Sequence, residues 1–208
     1  MNTQASAVSS MDVRPVTLTG QFVELRPLAL ADAAALFAAL DDEDVWTYLP
    51  SHKPAAVAEV EASIAAALRA QEQGVELPFV TIHRESGKVA GMTRLLDISV
   101  PDRHAEIGWT AIGPEFQRTA VNTEAKYLML RHAFESWGCI RVQLKTDLRN
   151  ERSQRAIERL GAVREGVLRK VRLVKDGYQR SSVFYSITDD EWPSVKAHLE
   201  TKLGLSKA

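Results

Sequence analysis

The stretch Gly113-Pro114-Glu115-Phe116-Gln117-Arg118-Thr119-Ala120-Val121-Asn122-Thr123-Glu124-Ala125-Lys126 decides the fold, because an alternating pattern ends in it and a helical pattern begins. Upstream, residues 105–112 alternate between two sides, which predicts a β-strand. Downstream, apolar residues recur close to the helical period until Gly138, which predicts a long amphipathic helix. The chain therefore runs from a strand through a tight loop into a helix.

This junction is a candidate anion-binding site. The first turn of a helix leaves backbone N–H groups free, and the helix dipole makes that end electropositive, so phosphate binds there readily. Arg118 adds a full positive charge, and Thr119 and Thr123 add hydroxyl groups. The alternative is an ordinary helix start with a solvated Arg118, and the junction alone does not distinguish the two.

Size and composition indicate a globular protein. The chain has 208 residues, of which 45% are hydrophobic and 25% charged, enough for one domain with a substantial core. Residues 1–14 are mostly small and polar, so we expect a flexible tail there and one domain over residues 15–208. The formal net charge of -1 argues against a general nucleic-acid-binding protein.

Cys139 is the only cysteine, which excludes a disulfide framework and a cysteine metal cluster. Its apolar neighbours favour a buried spectator thiol over a nucleophile. No apolar stretch reaches the length of a transmembrane helix, and the N-terminus lacks the pattern of a signal peptide. We therefore expect a cytoplasmic protein that binds no membrane, nucleic acid or metal.

The remaining patterns predict a mixed α/β fold with antiparallel hairpins early and late in the chain. A second strand, residues 140–146, follows the long helix, and two strands joined in this way are normally parallel. Ligands of such units bind at the carboxyl ends of the strands. Those ends carry residues 112–122 and 147–153, so two candidate stretches converge on one place.

Trp46 and Tyr48 follow the acidic run 41–44, which we expect to form a solvated loop. The two aromatic side chains form either a lid over the core or one wall of a substrate pocket. In the second case, the acidic run beside them favours a cationic acceptor.

Asn150 and Ser153 lie three residues apart at the start of a short predicted helix, which places them on one face. In the structural alternative, Asn150 is an N-cap and Ser153 satisfies an early backbone donor. In the functional alternative, Asn150 binds a ligand amide and the Ser153 hydroxyl points at a reacting atom.

Several motifs in this order resemble the GCN5-related N-acetyltransferases, in particular their RimJ/RimL-like branch of ribosomal-protein N-acetyltransferases. The resemblance covers roughly residues 16–203, and it rests on the segments Glu106–Trp109, Gly113–Phe116, Thr123–Ala125, Asn150–Ser153, Leu160–Ala162, Glu165–Arg169, Tyr185–Ile187 and Glu191–Trp192. It implies a twisted, mostly antiparallel sheet with a central parallel strand-helix-strand unit, flanked by helices.

The resemblance also implies a donor and a set of site residues. The donor is acetyl-CoA, with its pyrophosphate on the loop that opens the long helix and its pantetheine arm along the strand that ends near Ile112. Asn150 then contacts the pantetheine arm, Ser153 is a candidate acid for the leaving thiolate, and Glu106 is a candidate base acting through water. Glu106 has a structural alternative, an ion pair with a neighbouring arginine. The implied donor-binding residues are Trp109, Ile112, Gln117, Arg118, Thr119, Ala120, Val121, Asn122, Thr123, Asn150 and Ser153.

The phosphate loop departs from the family pattern. The family usually has a glycine, and two residues later a glycine or alanine, because glycines let the backbone approach phosphate closely. Ala120 and Asn122 stand at these positions. We expect Arg118, Thr119 and Asn122 to assist the helix N-terminus with their side chains.

The resemblance implies transfer of an acetyl group from acetyl-CoA to a primary amine, by direct attack on the thioester. The acceptor is a protein N-terminus or a small amine, and the enzyme is a monomer or a homodimer. The alternative is a non-catalytic acyl-CoA-binding or regulatory module, and the altered phosphate loop is the feature that favours it.

Overall fold

The computed structural model describes residues 11–205. The strands are β1 Leu18–Thr19, β2 Val23–Pro27, β3 Glu76–His83, β4 Val89–Ser99, β5 His104–Ile112, β6 Arg141–Asp147, β7 Val163–Leu173 and β8 Gln179–Thr188. The helices are α1 Ala33–Ala39, α2 Glu43–Trp46, α3 Val57–Glu72, α4 Ala120–Arg131, α5 Glu151–Glu158 and α6 Trp192–Leu203. No helix within residues 11–205 is long and apolar enough to cross a membrane.

All eight strands form one sheet in the order β1-β2-β3-β4-β5-β6-β8-β7. Every neighbouring pair is antiparallel except β5 and β6, which are parallel as the strand-helix-strand pattern predicts. Their pairing runs only from His104 opposite Arg141 to Ile107 opposite Leu144. Beyond this point the two strands continue without pairing, so a cleft opens between their carboxyl ends.

Each face of the sheet carries its own apolar cluster. On one face, the apolar positions of α4 predicted from the sequence pack against the strands and α6; they include Val121, Leu128 and Met129. On the other face, α1 and α3 bury Leu36 and Ile64 against β3 and β4. Strands β4 and β5 are therefore packed on both faces, which holds β5, one of the two strands that border the cleft, in place.

Strand β5 is interrupted by a bulge at Trp109. Met92 pairs with Ala111 and Arg94 with Gly108, so β5 contains one more residue than β4 over this stretch. Trp109 adopts a positive φ of 48°, which is uncommon for a residue with a side chain. The regular alternation predicted for residues 105–112 is therefore wrong beyond Gly108. Glu106, before the bulge, is 2% exposed.

Helix α4 starts and ends at defined signals. Thr119 is its N-cap, and its Oγ1 accepts from the N–H of Val121 at 3.3 Å. A π-helical turn over His132–Ser136 follows the helix, and Gly138 leaves it with φ 65°. Cys139 comes next, 2% exposed, and burial raises the pKa of its thiol to about 11. The expectation of a buried thiol is confirmed.

Two boundaries differ from the expectations from sequence. Residues 1–10 of the predicted tail lie outside the described residues, but Met11 is buried and the carbonyl of Asp12 accepts from Trp137 Nε1 at 2.8 Å. The chain is therefore packed against the core before residue 14. The acidic run is not a loop throughout, because Asp42 caps the short helix α2 through the N–H of Asp44 at 2.8 Å.

Candidate active site

The cleft between β5 and β6 is the larger of two cavities that concern the site, with a volume of about 340 Å³. The N-terminus of α4 and the start of α5 border it, and the loop after α2 covers it. It collects most of the residues proposed from sequence: Tyr48, Glu106, Trp109, Ile112, Gln117, Arg118, Thr119, Asn122, Thr123, Asn150 and Ser153. The two stretches predicted to converge do so.

Three of the proposed residues lie elsewhere. Val121 is 1% exposed and belongs to the core under α4, while Ala120 packs against that core. Neither side chain lines the cleft. Trp46 is also buried, and its Nε1 donates to the carbonyl of Leu40 at 2.8 Å. Trp46 lines a second, smaller cavity on the other side of Trp109 rather than the cleft itself.

The loop before α4 exposes one charge and uses one hydroxyl internally. Arg118 is exposed and has a positive φ of 62°. The Thr119 hydroxyl donates to the carbonyl of Phe116 at 2.7 Å and accepts from Val121, so its only hydrogen is already bonded. Thr119 therefore shapes the loop, and Arg118 remains the side chain with donors free for an anion.

The two missing glycines do not strain this loop. Neither Ala120 nor Asn122 has a positive φ, so both positions accept an L-residue without backbone cost. Asn122 lines the cleft, and its Oδ1 is buried without a hydrogen-bond partner among the described residues. A buried carbonyl oxygen in this state favours a donor from a bound molecule.

Gln117 connects the two sides of the cleft. Its Nε2 donates to the carbonyl of Ile112 at 3.0 Å, and its Oε1 accepts from Arg152 Nη1 at 3.1 Å. The end of β5 is thereby joined to the first turn of α5. Both polar groups of Gln117 are occupied, which gives it a positioning role beside the ligand space.

Glu106 projects into the narrow end of the cleft. Its Oε2 accepts from Lys145 Nζ at 2.7 Å and from Gln143 Nε2 at 2.8 Å, both on β6. No group in residues 11–205 donates to its Oε1, which leaves that oxygen available on the cleft side. The ion pair expected from sequence is present, but its partner is Lys145 rather than an arginine.

Of the structural and the functional alternatives for Asn150 and Ser153, the structure shows a helix cap at Asn150 and a free hydroxyl at Ser153. Asn150 is the N-cap of α5, and its Oδ1 accepts from the Ser153 N–H at 2.9 Å. The Ser153 hydroxyl makes no hydrogen bond within the described chain, and the residue lines the cleft. The structural role of Asn150 is thus present, while the Ser153 hydroxyl remains free to meet a ligand.

Lys126 is a site residue that the sequence did not reveal. It lies one turn behind Asn122 on α4, is 5% exposed and lines the cleft. Its Nζ donates to Thr93 Oγ1 at 2.9 Å and to Thr110 Oγ1 at 2.5 Å, and no carboxylate pairs with it in residues 11–205. Burial lowers the pKa of Lys126 to about 7. The available signal was a lysine on the apolar face of a helix.

Arg149 and the β7–β8 hairpin contact α2 and the loop after it, which carries Tyr48 and covers the cleft. The Arg149 guanidinium stacks on Tyr178 at 3.7 Å and lies 5.7 Å from the Tyr48 ring centroid. Burial raises the pKa of Asp147, but hydrogen bonds from Arg149 outweigh it and hold that pKa below its usual value. Lys175 donates through its Nζ to the carbonyl of Trp46 at 2.6 Å. Distant parts of the chain therefore meet above the cleft.

No cluster of three or more His, Cys, Asp or Glu side chains in residues 11–205 is arranged to hold a metal ion. The polar groups of the cleft are instead the two carboxylates of Asp44 and Glu106, hydroxyls, amides and several cations, among them Arg118 beside the N-terminus of α4. This set suits an acyl donor that carries phosphates and an amine that must lose a proton.

The family model described as "Acetyltransferase (GNAT) domain" matches residues 23–163, most of the chain and nearly all of the cleft. The chain belongs to the GNAT acetyltransferase family. The resemblance to the GCN5-related N-acetyltransferases and the mixed, mostly antiparallel sheet expected from sequence are confirmed. Members of this family use acyl-CoA.

Individual GNAT relatives agree with this assignment. A crystal structure of a GCN5-related N-acetyltransferase from Brucella melitensis is 32% identical, with a TM-score of 0.84 over 90% of this chain and 85% of that one. The provisionally named ribosomal N-acetyltransferase YdaF of Bacillus subtilis (strain 168) is 33% identical over 110 residues, 53% of this chain, and the chain spans 59% of its length. RimJ of Mycobacterium smegmatis, solved with CoA-disulfide, shares the fold at 24% identity and a TM-score of 0.76, covering 88% of this chain and 89% of that one.

Proposed function

We propose that this GNAT enzyme transfers an acetyl group from acetyl-CoA to a primary amine by direct attack of the amine on the thioester. The observation that carries the proposal is that Glu106 Oε1 and the Ser153 hydroxyl both lack a partner in the described chain and line the same cleft. One group accepts a proton and the other donates one, as aminolysis of a thioester requires.

The cleft residues fit acetyl-CoA as donor. Arg118 and the first turn of α4 suit the pyrophosphate, with the positive helix end and an exposed guanidinium on the same side. Asn122 Oδ1 is a buried acceptor without a partner in the described chain, which suits an amide N–H of the pantetheine arm. The bulge at Trp109 interrupts the β4–β5 pairing beside this path, and Asn150 and Ile112 border it.

Acetyl-CoA supplies an activated carbonyl and a thiolate leaving group. Glu106 receives the proton of the incoming ammonium, directly or through one water, at its free Oε1. Lys145 and Gln143 both donate to Oε2, which fixes the position of the carboxylate. Ser153, oriented by the Asn150 cap on its own N–H, relays the second proton: its hydroxyl hydrogen goes to the departing sulfur while its oxygen takes the remaining proton from the nitrogen that has formed the amide.

The acceptor amine enters under the loop that carries Tyr48, opposite the donor phosphates. Tyr48 lines the cleft, and Asp44 lines it too, so a cationic ammonium meets a carboxylate at the entrance. Trp46 does not line the cleft; it lines the neighbouring, smaller cavity. Both a protein N-terminus and a small amine satisfy this arrangement.

A non-catalytic acyl-CoA-binding module is the competing function. Its basis was the loss of glycines, yet neither Ala120 nor Asn122 has a positive φ, so the backbone of the loop does not require glycine at these positions. The deciding experiment incubates the full chain with acetyl-CoA and a panel of peptides and polyamines, followed by mass spectrometry. An acetylated amine is the expected result. Tight CoA binding with no acetylated product across the panel would establish the module instead.

A further inference from the structure

The second cavity, between α1, α3 and the sheet, has a volume of about 170 Å³. Its walls are mostly apolar, with Leu36, Ile64 and Met92 buried around it, although the charged residues Asp41, Lys53, Glu59 and Arg94 line it as well. A dry apolar cavity of about 150 Å³ is large enough to bind benzene. The space therefore fits a phenyl ring or a large aliphatic side chain.

One polar group in this apolar cavity lacks a partner. Arg94 lines the cavity and is 6% exposed; its Nη1 donates to Glu76 Oε2 at 2.9 Å. Its Nε is buried without any hydrogen-bond partner in the described chain. A buried N–H left in this state is unfavourable, and a ligand oxygen would satisfy it.

The charge around Arg94 limits what that oxygen can be. Glu76 already balances the guanidinium, so a ligand carboxylate would add an uncompensated negative charge in a buried place. A neutral carbonyl oxygen accepts the same hydrogen bond without this penalty. The cavity therefore suits an apolar group attached to an amide carbonyl.

Trp109 connects this cavity to the cleft. It lines both, and the Arg94 guanidinium lies 4.7 Å from its ring centroid. A molecule with its amine in the cleft thus has the cavity within reach on the other side of one side chain. Trp46 closes the cavity from the acceptor side, below the loop that carries Tyr48.

We propose that the cavity selects the acceptor: it takes the large apolar side chain of an α-amino amide, whose carbonyl accepts from Arg94 Nε while the amine lies in the cleft. This rests on the proposed acetyl transfer. The N-terminal residue of a peptide and a free amino-acid amide share this chemistry. In both, the side chain is of the size of Leu, Met or Phe.

The test compares acetyl transfer to tripeptide amides that begin with Gly, Ala, Leu or Phe, and to phenylalaninamide alone. Burial of such a side chain predicts a kcat/KM on the order of 10- to 100-fold higher for Leu and Phe than for Gly. Preference for the tripeptides over phenylalaninamide identifies the peptide as the source, and equal rates identify the small amide; both support the cavity. Equal kcat/KM for all first residues overturns this inference and leaves acetyl transfer standing.

Two variants test the cavity itself. Val60→Phe fills it from α3, and we expect the ratio of kcat/KM for Phe over Gly peptides to fall toward one. Arg94→Lys keeps the charge opposite Glu76 but removes the Nε donor, and we expect a loss of several-fold in kcat/KM for every tripeptide amide. Val75→Phe is the matched control, because Val75 is exposed and lines neither cavity. An unchanged ratio in a folded, CoA-binding Val60→Phe protein contradicts the proposal.

A binding measurement keeps the inference testable without turnover. N-acetylphenylalaninamide is titrated into the full chain while tryptophan fluorescence is followed, since Trp46 and Trp109 line the cavity. We expect binding that N-acetylglycinamide does not reproduce. If no acetyl transfer is found, the proposed function fails, and this titration alone then decides whether the cavity binds its ligand. Equal, negligible binding of both probes would overturn the inference.

Discussion

Lys145 Nζ lies 2.7 Å from Glu106 Oε2, so the two strands that part at the cleft are joined by an ion pair at its narrow end. The pair occupies one carboxylate oxygen and leaves the other without a donor in residues 11–205. This geometry is compatible with a structural pair and with a base held in position. The two roles predict different kinetics.

Glu106→Gln separates them. We expect kcat to fall by roughly 10²-fold with an unchanged Kd for CoA, because an amide keeps the shape but takes no proton. Stopped-flow measurement of acetyl transfer gives kcat, and calorimetry gives the Kd for CoA. Glu85→Gln, in the exposed β3–β4 turn, is the control. A full rate in a variant whose chemistry limits turnover removes Glu106 as the base.

Ser153→Ala and Asn150→Ala are expected to differ in kind. Loss of the Ser153 hydroxyl lowers kcat more than CoA affinity, because it acts on the leaving sulfur. Loss of the Asn150 cap lowers the free energy of unfolding by about 1 kcal/mol and also weakens CoA binding. Single-turnover rates and urea denaturation measure the two effects. Identical kinetic profiles for both variants would refute the separate roles.

Arg118 is tested with two replacements, because its backbone is left-handed. Arg118→Ala and Arg118→Gly both remove the charge, and we expect each to weaken CoA binding about tenfold. The glycine variant should be the more stable of the two by up to about 1 kcal/mol, since φ 62° suits glycine. Arg69→Ala, exposed on α3, serves as control. An unaltered Kd in both variants excludes a phosphate contact.

Lys126 predicts a pH dependence of stability. Its pKa is about 7 in the folded protein, against an ordinary value of 10.5 in an unfolded chain, so between these two values the unfolded chain binds more protons. Stability therefore rises with pH from about 7 to about 10.5, by up to roughly 1 kcal/mol per pH unit from this group. Lys126→Met should lack that slope. Urea denaturation at pH 7 and 9 measures the difference.

The matched control for this measurement is Lys202→Met, which changes an exposed lysine on α6. Its slope should equal that of the unchanged protein. If the stability of Lys126→Met changes with pH in the same way as that of the unchanged protein, Lys126 does not cause the slope. Lys126 then remains charged in the folded state.

Glu124 predicts a strong effect at Gly20. The Glu124 carboxylate is fully buried and accepts from the N–H groups of Gln21, Phe22 and Val23 at 2.6 to 2.7 Å. A Cβ at Gly20 would lie 2.7 Å from its Oε1, where it cannot fit without displacing the carboxylate. Gly20→Ala should lower the free energy of unfolding by about 2 kcal/mol or more.

Gly166→Ala on β7 is the control for that prediction, because a Cβ there meets nothing within 4 Å and the φ is not positive. We expect a change within about 0.5 kcal/mol. Equal stability of the two alanine variants in thermal denaturation would show that the Glu124 clamp tolerates movement.

The elements with strong periodicity were predictable from sequence. The α4 pattern gave the helix and its buried face, and the order strand-helix-strand gave the parallel pairing of β5 with β6. The meeting of Asn150 with the α4 start followed from topology alone, because carboxyl ends of adjacent parallel strands share one edge.

The features that escaped prediction depend on contacts between distant residues. The bulge at Trp109 breaks the alternation, and the neighbouring Gly108 is its only local signal, because an isolated glycine within a strand pattern is typical of a bulge. In the sequence, Lys126 only interrupts the apolar face of a helix. Its role depends on Thr93 and Thr110, whose hydroxyl groups accept hydrogen bonds from its Nζ. Trp46 was expected in a loop, but the cap at Asp42 turns that segment into a helix and buries the ring.

The buried thiol of Cys139 makes the protein simple to label. With a pKa of about 11, only roughly one thiol in ten thousand is ionised at pH 7, and burial shields even that fraction from reagents. A cysteine introduced at an exposed position such as Glu43 would then be the sole site that a maleimide dye modifies. A fluorophore there would report on the surroundings of α2, next to the loop over the cleft, in a protein that keeps its native core.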